Sequence, residues 1–251
     1  MCDSEATSRE HAPPKSIFPE LRDVGQDFRK ELITVPSCDA HNSSKSKDDE
    51  FLMVSLAGIV GNNSIGYQHK LTKVDRAVRR TANRLLNNVF IKKPLVKSIE
   101  LDRNKYIEIL WGNPDIERLN SCFNNIARAL HHHYFGYRFV GEVKAHLDFL
   151  FYDDVNIRTL AKLIRDKSAI DLANKPNLGS NPSIFYYQVS DFDESGLFMM
   201  KLCFYGGVNI YVSFIHIESK SLFNLSHYFI NNGIETICTL GNTEYIFNND
   251  K

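Results

Sequence analysis

The chain has 251 residues, of which 43% are hydrophobic and 24% charged, an ordinary globular composition that argues against a disordered or fibrous protein. It lacks the roughly 18 consecutive apolar residues of a membrane span, and its N-terminus, MCDSEATSREH, lacks an export signal core. Five scattered cysteines do not suggest a disulfide framework, and 30 basic residues balance 30 acidic ones, so we expect a cytoplasmic protein with no membrane partner.

The first 62 residues read as an irregular start, a strand and a helix. The opening stretch is polar and broken by Pro13, Pro14 and Pro19, and the run Leu32–Val35 is extended in character. After Cys38, apolar residues recur at steps of three and four as far as Ile59, which predicts a helix that ends near Gly61.

Candidate metal ligands surround the predicted strand. Cys38 and His41 are separated by two residues, a spacing that allows both to bind one tetrahedral zinc ion, and Cys2 is a natural third ligand. Cys-x-x-His alone is a weak signal, so a buried thiol and an incidental surface histidine remain the alternative. The pair Glu10-His11 precedes this motif.

Taken together, these residues resemble the HNH, or ββα-metal, endonucleases. Glu10-His11 matches the acid–His pair on the first strand of that family, and Cys38-x-x-His41-Asn42-x-x-Lys45 matches the stretch that opens the metal-site helix. His41 stands where a second Cys is often found. The resemblance covers roughly residues 2–60 and implies an N-terminal ββα module.

The resemblance also implies a role for each matching residue. His11 would be the general base, since a neutral imidazole accepts a proton at cellular pH. Glu10 and Asn42 would hold a catalytic Mg²⁺ or Mn²⁺ ion and leave positions open for water and phosphate. Cys2, Cys38 and His41 would hold a structural Zn²⁺, and Arg9 and Lys45 would contact DNA.

Two departures from the family pattern keep a rival hypothesis open. The middle Asn of the HNH signature falls near Glu31, and the knuckle partner of Cys2 falls just upstream of Met1. The rival is a non-catalytic zinc-knuckle protein that binds nucleic acid without cutting it.

The balanced net charge hides a basic segment. Between Gln68 and Lys97 there are nine Lys or Arg residues and one acid, Asp75, which gives a local charge of +8. We expect a basic helix over about 70–93 that contacts DNA, with a solvated charged face as the alternative. The residues assigned to this contact are Lys73, Arg76, Arg80 and Arg84.

Further helices are predicted over about Ile116–Tyr134 and Ile157–Ala173, and Asn174–Pro182 is the best linker candidate. The tail is rich in aromatic and β-branched residues, and it predicts a small antiparallel meander with a hairpin turn at Gly206-Gly207 and a closing helix over about Ser221–Asn231. The strand segments are Ser183–Phe192, Leu197–Tyr205 and Val208–Ile217.

The sequence therefore predicts an α+β protein with an HNH-like module at 1–62, a mainly helical region at 63–180 and an antiparallel β-rich region at 181–251. The expected activity is metal-dependent hydrolysis of DNA, by analogy in bacterial defence, with RNA as an alternative substrate. Double-strand cutting by one site per chain favours a homodimer, and a regulatory partner is a further expectation.

Overall fold

The computed structural model describes residues 6–38, 46–194, 196–217 and 228–249. It is a mixed α/β protein with helices and antiparallel sheets, and its five-stranded sheet lies mainly in the C-terminal part. Within the described residues, no helix combines the length and the apolar character needed to cross a membrane.

The N-terminal part places two paired strands before a buried helix. Its elements are β1 (Ser8–His11), a 3₁₀ turn (Lys15–Ile17), α1 (Leu21–Val24), β2 (Thr34–Ser37) and α2 (Ser46–Ala57). β1 and β2 are antiparallel. Every residue from Phe51 to Ala57 in α2 is buried, and a helix that is covered on all sides is a core element.

The expected basic helix over about 70–93 does not form as one element. Its place is taken by α3 (Ser64–His69), a π-helical turn (Lys70–Val74), α4 (Asp75–Arg80) and α5 (Arg84–Asn87). The break falls at Ala82 and Asn83, whose φ angles are 48° and 65°. Residues in this left-handed region cannot continue a right-handed helix.

The middle of the chain contains both predicted helices and three strands that were not expected there. The elements are β3 (Leu95–Asp102), β4 (Lys105–Trp111), α6 (Ile116–Phe135), β5 (Gly141–Leu147) and α7 (Val155–Asp171). The Asp115 side chain accepts a hydrogen bond from the Arg118 amide at 3.0 Å and caps α6. Gly136, with φ 80°, ends it.

The C-terminal part contains six further strands: β6 (Leu178–Asn181), β7 (Phe185–Val189), β8 (Phe198–Phe204), β9 (Val208–His216), β10 (Thr236–Leu240) and β11 (Thr243–Phe247). Five antiparallel strands form the main sheet, in the order β5-β9-β8-β7-β6. The three predicted strand segments of the tail form β7, β8 and β9. The expected linker contains β6, and most of the expected closing helix lies in residues 218–227, outside the described part.

One hydrophobic core joins the N-terminal hairpin, α2, α6 and the main sheet. Its buried members include Val35, Phe51, Phe123, Leu130, Phe204 and Phe214. A second, smaller cluster lies between the other side of α2 and the segment 74–89. Residues from all three sequence regions therefore share one core, and α2 lies between the two clusters.

Side chains of the C-terminal part also bind the long loop between β1 and β2. Ser180 Oγ donates to the Glu31 carbonyl oxygen at 3.2 Å, and Asn181 Nδ2 donates to that of Lys30 at 3.1 Å. The buried Tyr205 hydroxyl donates to the Ile17 carbonyl oxygen at 2.6 Å. The loop that precedes β2 is thus held by residues about 150 positions away.

Candidate functional site

Glu10 and His11 close the first strand of the hairpin, with Glu10 opposite Val35 and His11 opposite Thr34. Successive side chains of a strand point to opposite faces. Glu10 therefore shares a face with Ser37, while His11 shares the other face with Arg9.

The Glu10 carboxylate is half-buried and fixed against the end of β2. The hydroxyl of Ser37, a side chain that is only 7% exposed, donates to Glu10 Oε2 at 3.2 Å. Ser37 is followed by Cys38, whose thiol is half-buried. The hairpin therefore holds a carboxylate beside the strand that leads into the Cys38–Lys45 motif.

The His11 imidazole lies in a partly buried position that favours its neutral form. Burial lowers its pKa, the nearby Lys15 ammonium lowers it further, and a hydrogen bond to the Ile33 backbone opposes both effects. Its Nδ1 is buried and has no hydrogen-bond partner in the part of the chain that the structure describes. A buried polar atom without a partner is uncommon in folded proteins.

Several predicted ligands cannot be placed beside these two residues. Cys2, His41, Asn42 and Lys45 lie outside the described residues. Among residues 6–38, 46–194, 196–217 and 228–249, no group of three or more His, Cys, Asp or Glu side chains could hold a metal ion. The expected meeting of His11 and Asn42 around one cation therefore remains a prediction.

Lys73, expected at the DNA-contacting face, makes its contacts inside the protein. Its ammonium donates to the Ser16 carbonyl oxygen at 3.2 Å and lies 3.9 Å from Glu20. Burial lowers its pKa to about 8, and the neighbouring Arg29 lowers it as well. This ammonium therefore holds the 3₁₀ turn and α1 against the π-helical turn.

Arg76 is likewise committed to an internal contact. Its guanidinium donates to both oxygens of Asp23, at 2.8 and 2.7 Å. The Asp23 side chain is only 5% exposed, and the bond from Arg76 lowers its pKa. Arg80 and Arg84, in contrast, are exposed and form no ion pair with any described residue, so they remain the better candidates for contact with a phosphate.

A cleft that the sequence did not predict lies against the hairpin. Its volume is about 520 Å³, and it is lined by Arg9, Glu31, Thr34, His133, Tyr134 and Leu178 among others. These residues come from four distant segments of the chain. No spacing within the sequence could therefore reveal that they meet.

Comparisons of the chain with models of known protein families, with curated proteins and with solved structures found no match. The resemblance to HNH endonucleases therefore depends on the motif residues of the sequence alone.

Proposed function

We propose that the protein is a metal-dependent HNH-type endonuclease that hydrolyses phosphodiester bonds in DNA. The observation that carries the proposal is the antiparallel pair β1–β2 followed by α2, with a 3₁₀ turn and α1 in the loop between the strands; Glu10-His11 ends β1 and Cys38 directly follows β2. The resemblance supports the proposal because the family carries its acid–His pair on the first strand of a hairpin and its Cys-containing stretch at the start of the metal-site helix.

In the proposed reaction, His11 accepts a proton from the water that attacks phosphorus. The water oxygen bonds to phosphorus, the bond to the leaving oxygen breaks, and the water proton passes to the imidazole. The lowered pKa keeps this ring neutral at pH 7. General-base catalysis by a positioned side chain contributes about 10²–10⁴-fold to the rate.

Glu10 and Asn42 would hold the divalent ion. The Glu10 carboxylate fits this role because it is a hard oxygen donor, held by Ser37 and still partly accessible. A bound Mg²⁺ or Mn²⁺ supplies positive charge that offsets the charge of the phosphate. Cys38 would contribute its thiolate to a structural zinc together with Cys2 and His41.

The test is nicking of supercoiled plasmid by the full chain in the presence of Mg²⁺ or Mn²⁺. We expect His11→Ala to slow nicking by about 10²–10⁴-fold, because the proton acceptor is lost. His132→Ala is the matched control, because this histidine lies on α6 and has no role in the proposed site, and its rate should equal that of the wild type. Undiminished nicking by His11→Ala would exclude the proposed mechanism.

One observation favours the rival, a nucleic-acid-binding protein without catalysis. The middle Asn of the HNH signature falls near Glu31, so this chain has Glu where the family has Asn. The Glu31 backbone has a φ of 52°. The same plasmid experiment separates the two functions: a shift in electrophoretic mobility without nicking, in either metal, would favour the binding protein.

A further inference from the structure

The cleft beside the hairpin opens on the strand that carries His11. Arg9 lines the cleft and lies two residues before His11 on β1, so both side chains share one face and are about 7 Å apart along the strand. The cleft volume of about 520 Å³ falls within the range of about 300–1,000 Å³ that is usual for small-ligand sites. It is therefore large enough for one nucleotide next to the proposed reaction centre.

Arg9 provides a fixed cation at this cleft. Its Nε and Nη2 donate to Thr34 Oγ1 at 3.0 and 2.8 Å, which orients the guanidinium across the hairpin. No carboxylate pairs with Arg9 among the described residues, and the residue is exposed. An oriented and unpaired guanidinium suits a phosphate oxygen.

Tyr134 provides an aromatic surface in the same cleft. The residue is 50% exposed although it follows the buried part of α6. Its ring packs against Phe135 in an edge-to-face arrangement with centroids 4.8 Å apart, which limits its motion. A half-exposed aromatic ring held in this way suits stacking on a nucleobase.

The other charged group of the cleft limits what can bind. The Glu31 carboxylate can accept hydrogen bonds from the exocyclic amino groups of bases, but it would repel a second phosphate. The Arg9 cation, the exposed Tyr134 ring and the Glu31 carboxylate acceptor fit a single nucleotide better than a run of backbone. A base stacked within a duplex has no free face for Tyr134, so the nucleotide must be unpaired.

We propose that this cleft binds one unpaired nucleotide of the DNA strand being cut, with its phosphate on Arg9 and its base on Tyr134. The inference rests on the proposed nuclease function and adds a substrate class to it: DNA that contains a single-stranded or unpaired site.

The experiment measures binding of the full chain to a fluorescein-labelled mixed-sequence 12-nucleotide single strand and to the duplex of the same sequence, in buffer without added Mg²⁺ or Mn²⁺. We expect Tyr134→Ala to weaken single-strand binding roughly 5- to 150-fold, the equivalent of one base–aromatic stack, with little effect on the duplex. Tyr134→Phe keeps the ring and should bind as the wild type does. Tyr106→Ala removes a comparably exposed tyrosine, 62% exposed and on β4, and should also have no effect.

The inference is overturned if Tyr134→Ala binds the single strand as tightly as the wild type, or if it weakens both DNAs equally. Failure of the proposed function has a different signature. In that case Tyr134-dependent binding persists while no His11-dependent nicking is seen. Conversely, His11-dependent nicking with Tyr134-independent binding retains the nuclease and excludes the nucleotide cleft.

Discussion

Glu31 combines an unfavourable backbone conformation with a position next to the hairpin. Its φ of 52° lies in the left-handed region, which costs a residue with a Cβ about 1–2 kcal/mol and which Asn tolerates better. Its carbonyl oxygen is held by Ser180 Oγ, so the loop cannot readily relax. The backbone at this position therefore has a shape better suited to Asn or Gly than to Glu.

Replacing this residue should therefore stabilise the fold. We expect Glu31→Asn to raise the free energy of unfolding by a fraction of the roughly 1–2 kcal/mol that the left-handed conformation costs. Urea unfolding followed by circular dichroism measures the change. Glu31→Gln, which removes the charge but keeps the longer side chain, is the control, and the explanation fails if both variants unfold at the same urea concentration.

The sequence predicted the local structure around Glu10 and His11 more successfully than the tertiary contacts of the basic segment. Glu10 and His11 are adjacent in the chain, and they do lie on a strand paired with the predicted extended segment. The internal roles of Lys73 and Arg76 could not be predicted, because Ser16 and Asp23 lie more than fifty residues away. A charge count cannot distinguish a solvated cation from one that holds a distant loop.

At the scale of elements, α1 is attached to the segment 64–80 mainly by polar contacts. Asp23 receives both bonds of Arg76, and the Gln68 side chain donates to the Asp23 carbonyl oxygen at 3.2 Å. No residue of α1 is buried as a whole, although the Asp23 side chain is only 5% exposed. Such a short helix has little intrinsic stability, so these bonds fix its position.

Removing the guanidinium should therefore destabilise the protein. We expect Arg76→Ala to lower the free energy of unfolding by about 1–3 kcal/mol, because it leaves the Asp23 carboxylate, only 5% exposed, without its partner. Arg80→Ala, an exposed change on the same helix, should stay within about 0.5 kcal/mol of the wild type. Chemical denaturation measures the free energy of unfolding of both variants. Equal values would show that the contact between Arg76 and Asp23 contributes little to stability.

Elements were predictable where the local pattern agreed with the tertiary structure. β7, β8 and β9 are dense in aromatic and β-branched residues, and α6 and α7 begin and end close to the predicted positions. The prediction of one continuous helix in the basic segment was wrong because Thr81-Ala82-Asn83 contains no Gly or Pro to signal the break. β5 was missed although Val143, Ala145 and Leu147 alternate with polar residues as in a strand, because this short segment lies in a region that otherwise reads as helical.

At the scale of the whole molecule, the fold buries a histidine in a positively charged setting. His69 is fully buried against Tyr205, and neither of its ring nitrogens has a well-aligned hydrogen-bond partner among the described residues. Burial lowers its pKa to about 4, and Lys73 and Arg29 also lower it, while a poorly aligned hydrogen bond to the Ser16 backbone and the Asp23 carboxylate act in the opposite direction. The folded protein therefore disfavours protonation of this ring.

This burial predicts acid sensitivity in a defined range. The folded pKa of about 4 lies below the ordinary value of 6.5, so the unfolded chain binds the proton more readily. The contribution of His69 to the free energy of unfolding is fully present above pH 6.5. It is lost as the pH drops towards 4, which lowers the free energy of unfolding by about 3 kcal/mol. Urea midpoints between pH 7.5 and 4.5 measure the slope.

His69→Met should flatten that slope, because methionine fills a similar volume without titrating. The slope that remains would come from the other histidines with lowered pKa values, among them His131 and His146. A variant with the same pH dependence as the wild type would show that His69 is not responsible.

The attachment of the β1–β2 loop to the C-terminal sheet has a practical consequence. Glu31 and Lys30 accept hydrogen bonds from Ser180 and Asn181, and Ile17 accepts one from Tyr205. A fragment that stops at residue 62 would lose all three donors and expose the apolar surface of α2 to water. The region 1–62 is therefore not a domain that can be expressed separately. The roles of its residues have to be tested by point substitution in the full chain.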